Sequence, residues 1–343
     1  MTELTDWLGQ RVEPAIAPGL PICDPHHHLW DQRETYVYHY LLDDFLADIG
    51  GGHNIISTVF LECEAFYRAK GGAAMAPVGE VEFVAGMAAM SASGLYGKTQ
   101  IAAAIVGFAD LRLGEGVGEV LQAEIQAGGG RFRGIRHATA ADPDPGIIGA
   151  DGTNPNGDVF SDPAFRQGFA QLAPFGLSYD SWLYHPQIPQ LTDLARAFPE
   201  TPIVLDHVGG PLGIGPYAGR REEVFAAWAD DMAALAQCPN VHVKLGGLAM
   251  KLTGFGHHRL DRPPSSETLA EAWKPYLMHC IETFGPARCM FESNFPVDKA
   301  TCAYTTLWNA FKLVSTDFGA ADKAALFHDT AAGFYRIEDN RHD

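Results

Sequence analysis

The apolar positions of the chain fall into eight short runs, at 20–23, 55–63, 101–108, 132–135, 177–183, 203–205, 241–245 and 289–291. Between most of them lie stretches whose apolar residues recur at helical spacing, at 117–127, 164–172, 188–198, 222–236 and 268–284. Strand followed by helix, repeated along the whole chain, predicts a parallel sheet, because parallel neighbours need a crossover and a helix is the usual one. An open doubly wound sheet alternates in the same way but carries a glycine-rich phosphate turn after its first strand. Here the first strand runs into histidines, and the glycines at 128–130 precede a strand rather than a helix. The pattern therefore predicts an α/β fold closed as a (β/α)8 TIM barrel, a single domain over 1–343 with its core at about 20–336.

Three longer irregular stretches, at 65–78, 138–163 and 251–266, are rich in Gly, Pro or Asp, and each follows a strand. In an α/β barrel such segments lie on the C-terminal face, so these are expected to wall a pocket.

Composition narrows the partners. With 42 acidic residues against 24 Lys and Arg the net charge is −18, a field that repels phosphate backbones and anionic lipid surfaces. Neither nucleic acid nor membrane is expected as a partner, and an anionic small-molecule substrate needs local cations at its pocket. Self-association into a homo-oligomer is left open. The start, MTELTDWLGQRVEP, has no basic, apolar leader, and no later run reaches the ~20 apolar residues of a membrane span, so a cytoplasmic location is expected. The cysteines Cys23, Cys63, Cys238, Cys280, Cys289 and Cys302 form no CxxC pair and read as buried thiols.

The chemistry gathers at strand ends. Asp24-Pro25-His26-His27-His28 closes the first strand, and residues two apart on a strand share a face, so His26 and His28 can converge while His27 points elsewhere. His185 follows the fifth strand and His207 the sixth. Imidazoles from three strands at one rim suit either a borderline metal such as zinc or proton transfer near neutral pH. Arg136 ends the fourth strand, and its guanidinium can hold a carboxylate through two parallel hydrogen bonds; Arg133, one residue off in parity, reads as structural. Asp180, Asp206 and Asp24 are candidate partners for fixing imidazole tautomers, with Asp180 also a candidate substrate contact. His257 and His258 read as a solvated turn.

The motifs DPHHHLWD, FRGIRH, LDHVGGP and ESNFPVD, in this order, resemble the amidohydrolase superfamily, in its branch of TIM-barrel metal-dependent hydrolases related to fuconolactonase, rhamnonolactonase and pyrone-dicarboxylate lactonase. The resemblance implies hydrolysis of an ester-like ring at the barrel mouth, with a strand-one His pair, a strand-five His and a strand-eight Asp. It also implies that Arg136 holds a substrate carboxylate. If an ion is held, the implied ligands are His26, His28 and His185; the resemblance leaves open whether the cofactor is one divalent zinc or none.

One position departs from the pattern. Where the superfamily reads G-S-D-W-P, this chain reads Glu292-Ser293-Asn294-Phe295-Pro296. A neutral Asn294 cannot be a general base and is a poorer ligand than a carboxylate. Glu292, Asp298 and Glu62 are the candidates to replace it. The expected function is a lactone-opening hydrolase, acting on a carboxylate-bearing or sugar-acid lactone. The rivals are a metal-dependent decarboxylase of the same superfamily and a catalytically impaired binding barrel.

Overall fold

The computed structural model describes residues 2–31, 39–147 and 158–338. Eight parallel strands follow one another in chain order: β1 (Pro21–His27), β2 (Asn54–Leu61), β3 (Gln100–Gly107), β4 (Phe132–Arg136), β5 (Ser178–Ser181), β6 (Ile203–Leu205), β7 (Val241–Leu245) and β8 (Cys289–Phe291). The ring closes just beyond β8, where Asn294 N–H donates to His26 O at 2.9 Å and His28 N–H to Phe295 O at 2.8 Å. Closure thus ties the two most distinctive sequence motifs together.

Two of the strand limits that differ from expectation bear on the site. β1 runs four residues past Cys23 and carries His26 and His27 within its ladder, with a register shift between Asp24 and His27. Pro25 supplies no N–H there, so the ladder breaks locally instead of ending. β5 stops at Ser181, because Trp182 and Tyr184 leave the sheet for an apolar cap over the barrel mouth.

The barrel interior is layered. At its base Cys23, Val59, Leu61, Ala104, Val106, Val204 and Met290 pack together, closed from below by Ala331 and Tyr335. Each fully buried Val or Leu there contributes about 1.5–3 kcal/mol. Above this layer lie charged and imidazole side chains. Over them Ala140, Ile147, Trp182, Tyr184 and Leu212, from the loops after β4, β5 and β6, form the cap, with Met250 and Leu252 against it. The loop at 138–163 thus contributes to the wall, although its residues 148–157 lie outside those described. His257 stacks on Phe255, and both it and His258 are half-buried rather than solvated.

All six cysteines are buried thiols outside any disulfide. One expectation needs correcting: the stretch Ala73–Ala92 is long and apolar enough to cross a membrane. Its helix, Val78–Ala92, packs on β3 and buries Glu80, whose Oε1 accepts from Cys63 N–H at 3.0 Å and Ala65 N–H at 2.8 Å.

Candidate active site

The irregular ladder of β1 aims His26 and His28 at one point, with their Nε2 atoms 3.2 Å apart. His28 Nδ1–H donates to Leu61 O at 2.9 Å, which leaves Nε2 as its acceptor. His26 has more neighbours. Its Nε2 lies 3.4 Å from Arg136 Nη1, while its Nδ1 lies 2.8 Å from Glu292 Oε2 and 3.2 Å from Lys244 Nζ. Burial, reinforced by the positive charge of Lys244, lowers the His26 pKa to about 4, and burial likewise pushes His28 well down, so both rings are neutral at pH 7.

His207 reaches the same space by an unusual turn. His207 and Val208 adopt left-handed backbone angles, with φ of 56° and 48°, and Gly209 and Gly210 continue at 74° and 51°. For a residue with a Cβ this costs roughly 1–2 kcal/mol each and persists only where the surroundings enforce it. Here Glu292 Oε1 accepts from His207 N–H at 3.0 Å and from its Nδ1 at 2.6 Å, and Trp228 Nε1–H donates to Val208 O at 2.8 Å. The Gly246-Gly247 pair after β7 makes room. A Cβ on Gly246 would lie 2.4 Å from Glu292 Cγ, and one on Gly247 2.4 Å from His207 Cβ. The His207 ring sits with its centroid 4.5 Å from that of His26, and Trp182 meets it edge-on at 4.9 Å.

Glu292 therefore bridges two imidazoles. Burial alone would raise its pKa, but His207 and His26 outweigh burial and hold it at about 2, so the carboxylate is charged. Of the three candidate replacements for the strand-eight Asp, Glu292 is the one in contact with the histidines. Asp298 instead accepts from Asn294 Nδ2 at 2.9 Å, and Glu62 Oε1 accepts from Arg136 Nε at 2.8 Å. Arg136 gives Nη2 to Glu62 O as well, so the edge expected to clasp a substrate carboxylate is filled from within, and Nη1 alone faces His26 and Asp206.

Beneath the histidines lies Lys244, completely buried, with Asp180 Oδ1 at 2.7 Å and Asp206 Oδ1 at 3.0 Å. Tyr335 OH also donates to Asp180 Oδ1, at 2.5 Å. Burial raises Asp180 to about 6 despite Lys244, whereas Lys244 and His26 together overcome burial to hold Asp206 well below the usual carboxylate range. Sequence reasoning missed Lys244 and Tyr335. A lysine flanked by Val243 and Leu245 in a strand was the available signal, since an unpaired ammonium there would be prohibitively desolvated.

Other expected residues fall elsewhere. His185 opens the turn after β5, accepts from Leu212 N–H at 3.3 Å and meets the Tyr217 ring edge-on. It makes no polar or ring contact with the other three histidines among the described residues. Asp24 holds the backbone of the site rather than a ring, accepting from Ser293 N–H at 2.9 Å, His26 N–H at 3.3 Å and Tyr304 OH at 2.9 Å. His27 stacks on Phe45 away from the pocket, and Arg133 ties down the C-terminal segment at Tyr335 O.

By formal charge, Glu62, Asp180, Asp206 and Glu292 bring −4 and Arg136 and Lys244 +2, so the buried acids and bases of the site sum to −4 + 2 = −2. Ligand atoms of His26, Asp206 and His207 all lie within 4.8 Å of one another. That donor set, two imidazoles and a carboxylate in a doubly negative surround, is compatible with a divalent metal ion. It differs from the expected set in offering Asp206 and His207 where His28 and His185 were named.

The Amidohydrolase family profile matches residues 23–337. The chain belongs to this family. An uncharacterized protein of Sinorhizobium fredii is 35% identical over 93% of this chain and 99% of its own length. An L-fucono-1,5-lactonase of Burkholderia ambifaria is 27% identical over 70% of this chain and 73% of its own. Among solved structures, an amidohydrolase from Burkholderia multivorans with bound zinc superposes with a TM-score of 0.69 at 24% identity, covering 92% of this chain and 99% of that one. The shared barrel and the site geometry make this chain an enzyme of the amidohydrolase superfamily, in agreement with its strand-end motifs.

Proposed function

We propose that this amidohydrolase opens the ring of a sugar-acid lactone by water attack at the acyl carbon. The carrying observation is the Glu292 bridge, with carboxylate oxygens 2.6 Å from His207 Nδ1 and 2.8 Å from His26 Nδ1. A carboxylate behind an imidazole fixes its tautomer and stabilises the imidazolium that forms when it takes a proton. His207 Nδ1–H is given to Glu292, and its Nε2 has no hydrogen-bond partner among the described residues, so this nitrogen is the general base.

In the reaction, His207 Nε2 removes a proton from water as the oxygen adds to the lactone carbonyl carbon. Arg136 Nη1, fixed by the bonds from Nε and Nη2 to Glu62, stabilises the oxyanion. Collapse breaks the acyl–oxygen bond, and the leaving ring oxygen takes the proton from His207. A divalent ion held by His26, Asp206 and His207 would take up the free nitrogen of His207 and so stand in for this base, supplying a Lewis acid for the carbonyl and a more acidic bound water.

The substrate class follows from charge. With the Arg136 fork on Glu62, a second carboxylate on the substrate finds no free bidentate partner there, whereas a neutral polyhydroxy lactone needs none. The doubly negative interior then favours release of the carboxylate product. The 27% identity to an L-fucono-1,5-lactonase supports the same class. A panel of sugar lactones followed by a pH indicator tests the proposal: proton release above the spontaneous rate supports it, and no acceleration with any member removes it.

A further inference from the structure

His26 Nδ1 has two neighbours with opposite demands, the Lys244 ammonium at 3.2 Å and Glu292 Oε2 at 2.8 Å. An ammonium only donates, so it requires a lone pair on Nδ1; a carboxylate only accepts, so it requires Nδ1–H. A neutral imidazole has one N–H, so this choice decides what Nε2 presents to the pocket.

Three observations favour the lone pair. Lys244 has two hydrogen-bond acceptors, Asp180 Oδ1 at 2.7 Å and His26 Nδ1 at 3.2 Å, while Asp206 Oδ1 at 3.0 Å is an ion-pair neighbour with no aligned hydrogen, so the lone pair of Nδ1 is one of only two that the ammonium finds. Glu292 Oε1 already receives both N–H groups of His207, whereas Oε2, despite its distance, has no aligned donor. On the far side, His28 gives its own proton to Leu61 O, so its Nε2 needs a donor, and His26 Nε2 stands 3.2 Å away. With the proton on His26 Nε2 the chain from Lys244 through His26 and His28 to Leu61 O is satisfied at every link. With the proton on Nδ1, Arg136 Nη1 at 3.4 Å would donate to His26 Nε2, but the lone pair of His28 Nε2 would still face that of His26 at 3.2 Å without a donor.

We propose that Lys244 is a positioning residue that holds His26 with its proton on Nε2, and that this proton keeps divalent ions weakly bound at the histidines. An ion that takes the Nε2 lone pair must first displace that proton, which moves to Nδ1 and turns to Glu292, while Lys244 loses its imidazole acceptor. Proton placement and ion affinity at His26 are independent of the lactonase reading.

The test is nitrogen NMR of the metal-free protein labelled at histidine, with His26 assigned by the signals lost in His26→Asn. The expected spectrum has Nε2 protonated and Nδ1 not; the reverse overturns the proposal. In Lys244→Met the proton is expected on Nδ1, and cobalt binding, followed by its visible absorption, is expected to tighten at least tenfold. Arg136→Met, which removes a cation 3.4 Å from His26 Nε2 without touching Nδ1, is expected to leave the tautomer as in the parent and so separates hydrogen bonding from charge. An unchanged tautomer or unchanged cobalt affinity in Lys244→Met overturns the proposal, and if that variant does not fold the parent spectrum decides. Neither readout uses turnover, so failure of the lactonase reading leaves the result standing.

Discussion

Replacing Glu292 by Gln keeps its size and removes its charge, at the carboxylate joining the two imidazoles. The introduced amide has one acceptor oxygen, and His207 presents two donors to that position, the backbone N–H at 3.0 Å and Nδ1 at 2.6 Å. The oxygen must therefore stay with His207, and the amide NH2 turns toward His26 Nδ1, where it competes with Lys244 for one lone pair. Changing a charge-assisted hydrogen bond to a neutral one forfeits about 1–2 kcal/mol. The imidazolium formed on His207 also loses its counter-charge, worth up to about 4 kcal/mol at the effective dielectric of such sites. A transition-state cost of about 2–4 kcal/mol lowers kcat by about 30- to 1000-fold. Steady-state proton release on the best lactone, with KM and kcat separated, measures this. The effect is expected in kcat with KM little changed, because Glu292 touches the base and not the substrate. A kcat within about threefold of the parent, in a variant with an unchanged melting curve, would refute the role given to the bridge.

Arg136→Lys keeps the charge but loses both hydrogen bonds to Glu62, so turnover should fall at least tenfold by the same assay, and an unchanged rate would remove Arg136 from the site. Gly247→Ala drives a Cβ to 2.4–2.7 Å from His207 at a φ of +67°, so calorimetry should register a loss of about 2–3 kcal/mol together with loss of turnover; Gly86→Ala, with open space around it, should be neutral or stabilising. His27 is buried and neutral, its pKa lowered from 6.5 to about 3 by burial, so the folded state binds the proton less readily than the unfolded chain and stability falls as pH drops below 6.5. Between pH 7.5 and 5.5 the parent should lose about 1.4 kcal/mol more than His27→Phe in denaturant titrations, and parallel pH dependences would contradict this assignment.

The barrel was legible because the alternation of strand and helix runs through the whole chain, and strand spacing brought out His26 and His28, whereas His207 joins them through a left-handed turn that spacing does not encode. The fourth, His185, was harder to place, since β5 ends at Ser181 and the chain beyond it turns into the cap, where parity no longer governs direction. Asn294 marked a departure from the family, but sequence spacing could not tell which carboxylate compensates. That depends on the turn at His207 and the Gly246-Gly247 clearance, which bring Glu292 against two rings. The engagement of Arg136 by Glu62 was equally hidden, because it joins strands whose contact is set by side-chain reach across the barrel and not by spacing along the chain.

The central claim is that water attacks the acyl carbon of a lactone. Turnover in water enriched in heavy oxygen, with the product fragmented in a mass spectrometer, tests it most directly. The account predicts one labelled oxygen per product molecule, in the carboxylate. Label in the alcohol oxygen, release of carbon dioxide, or tight binding of lactones without any product would contradict it.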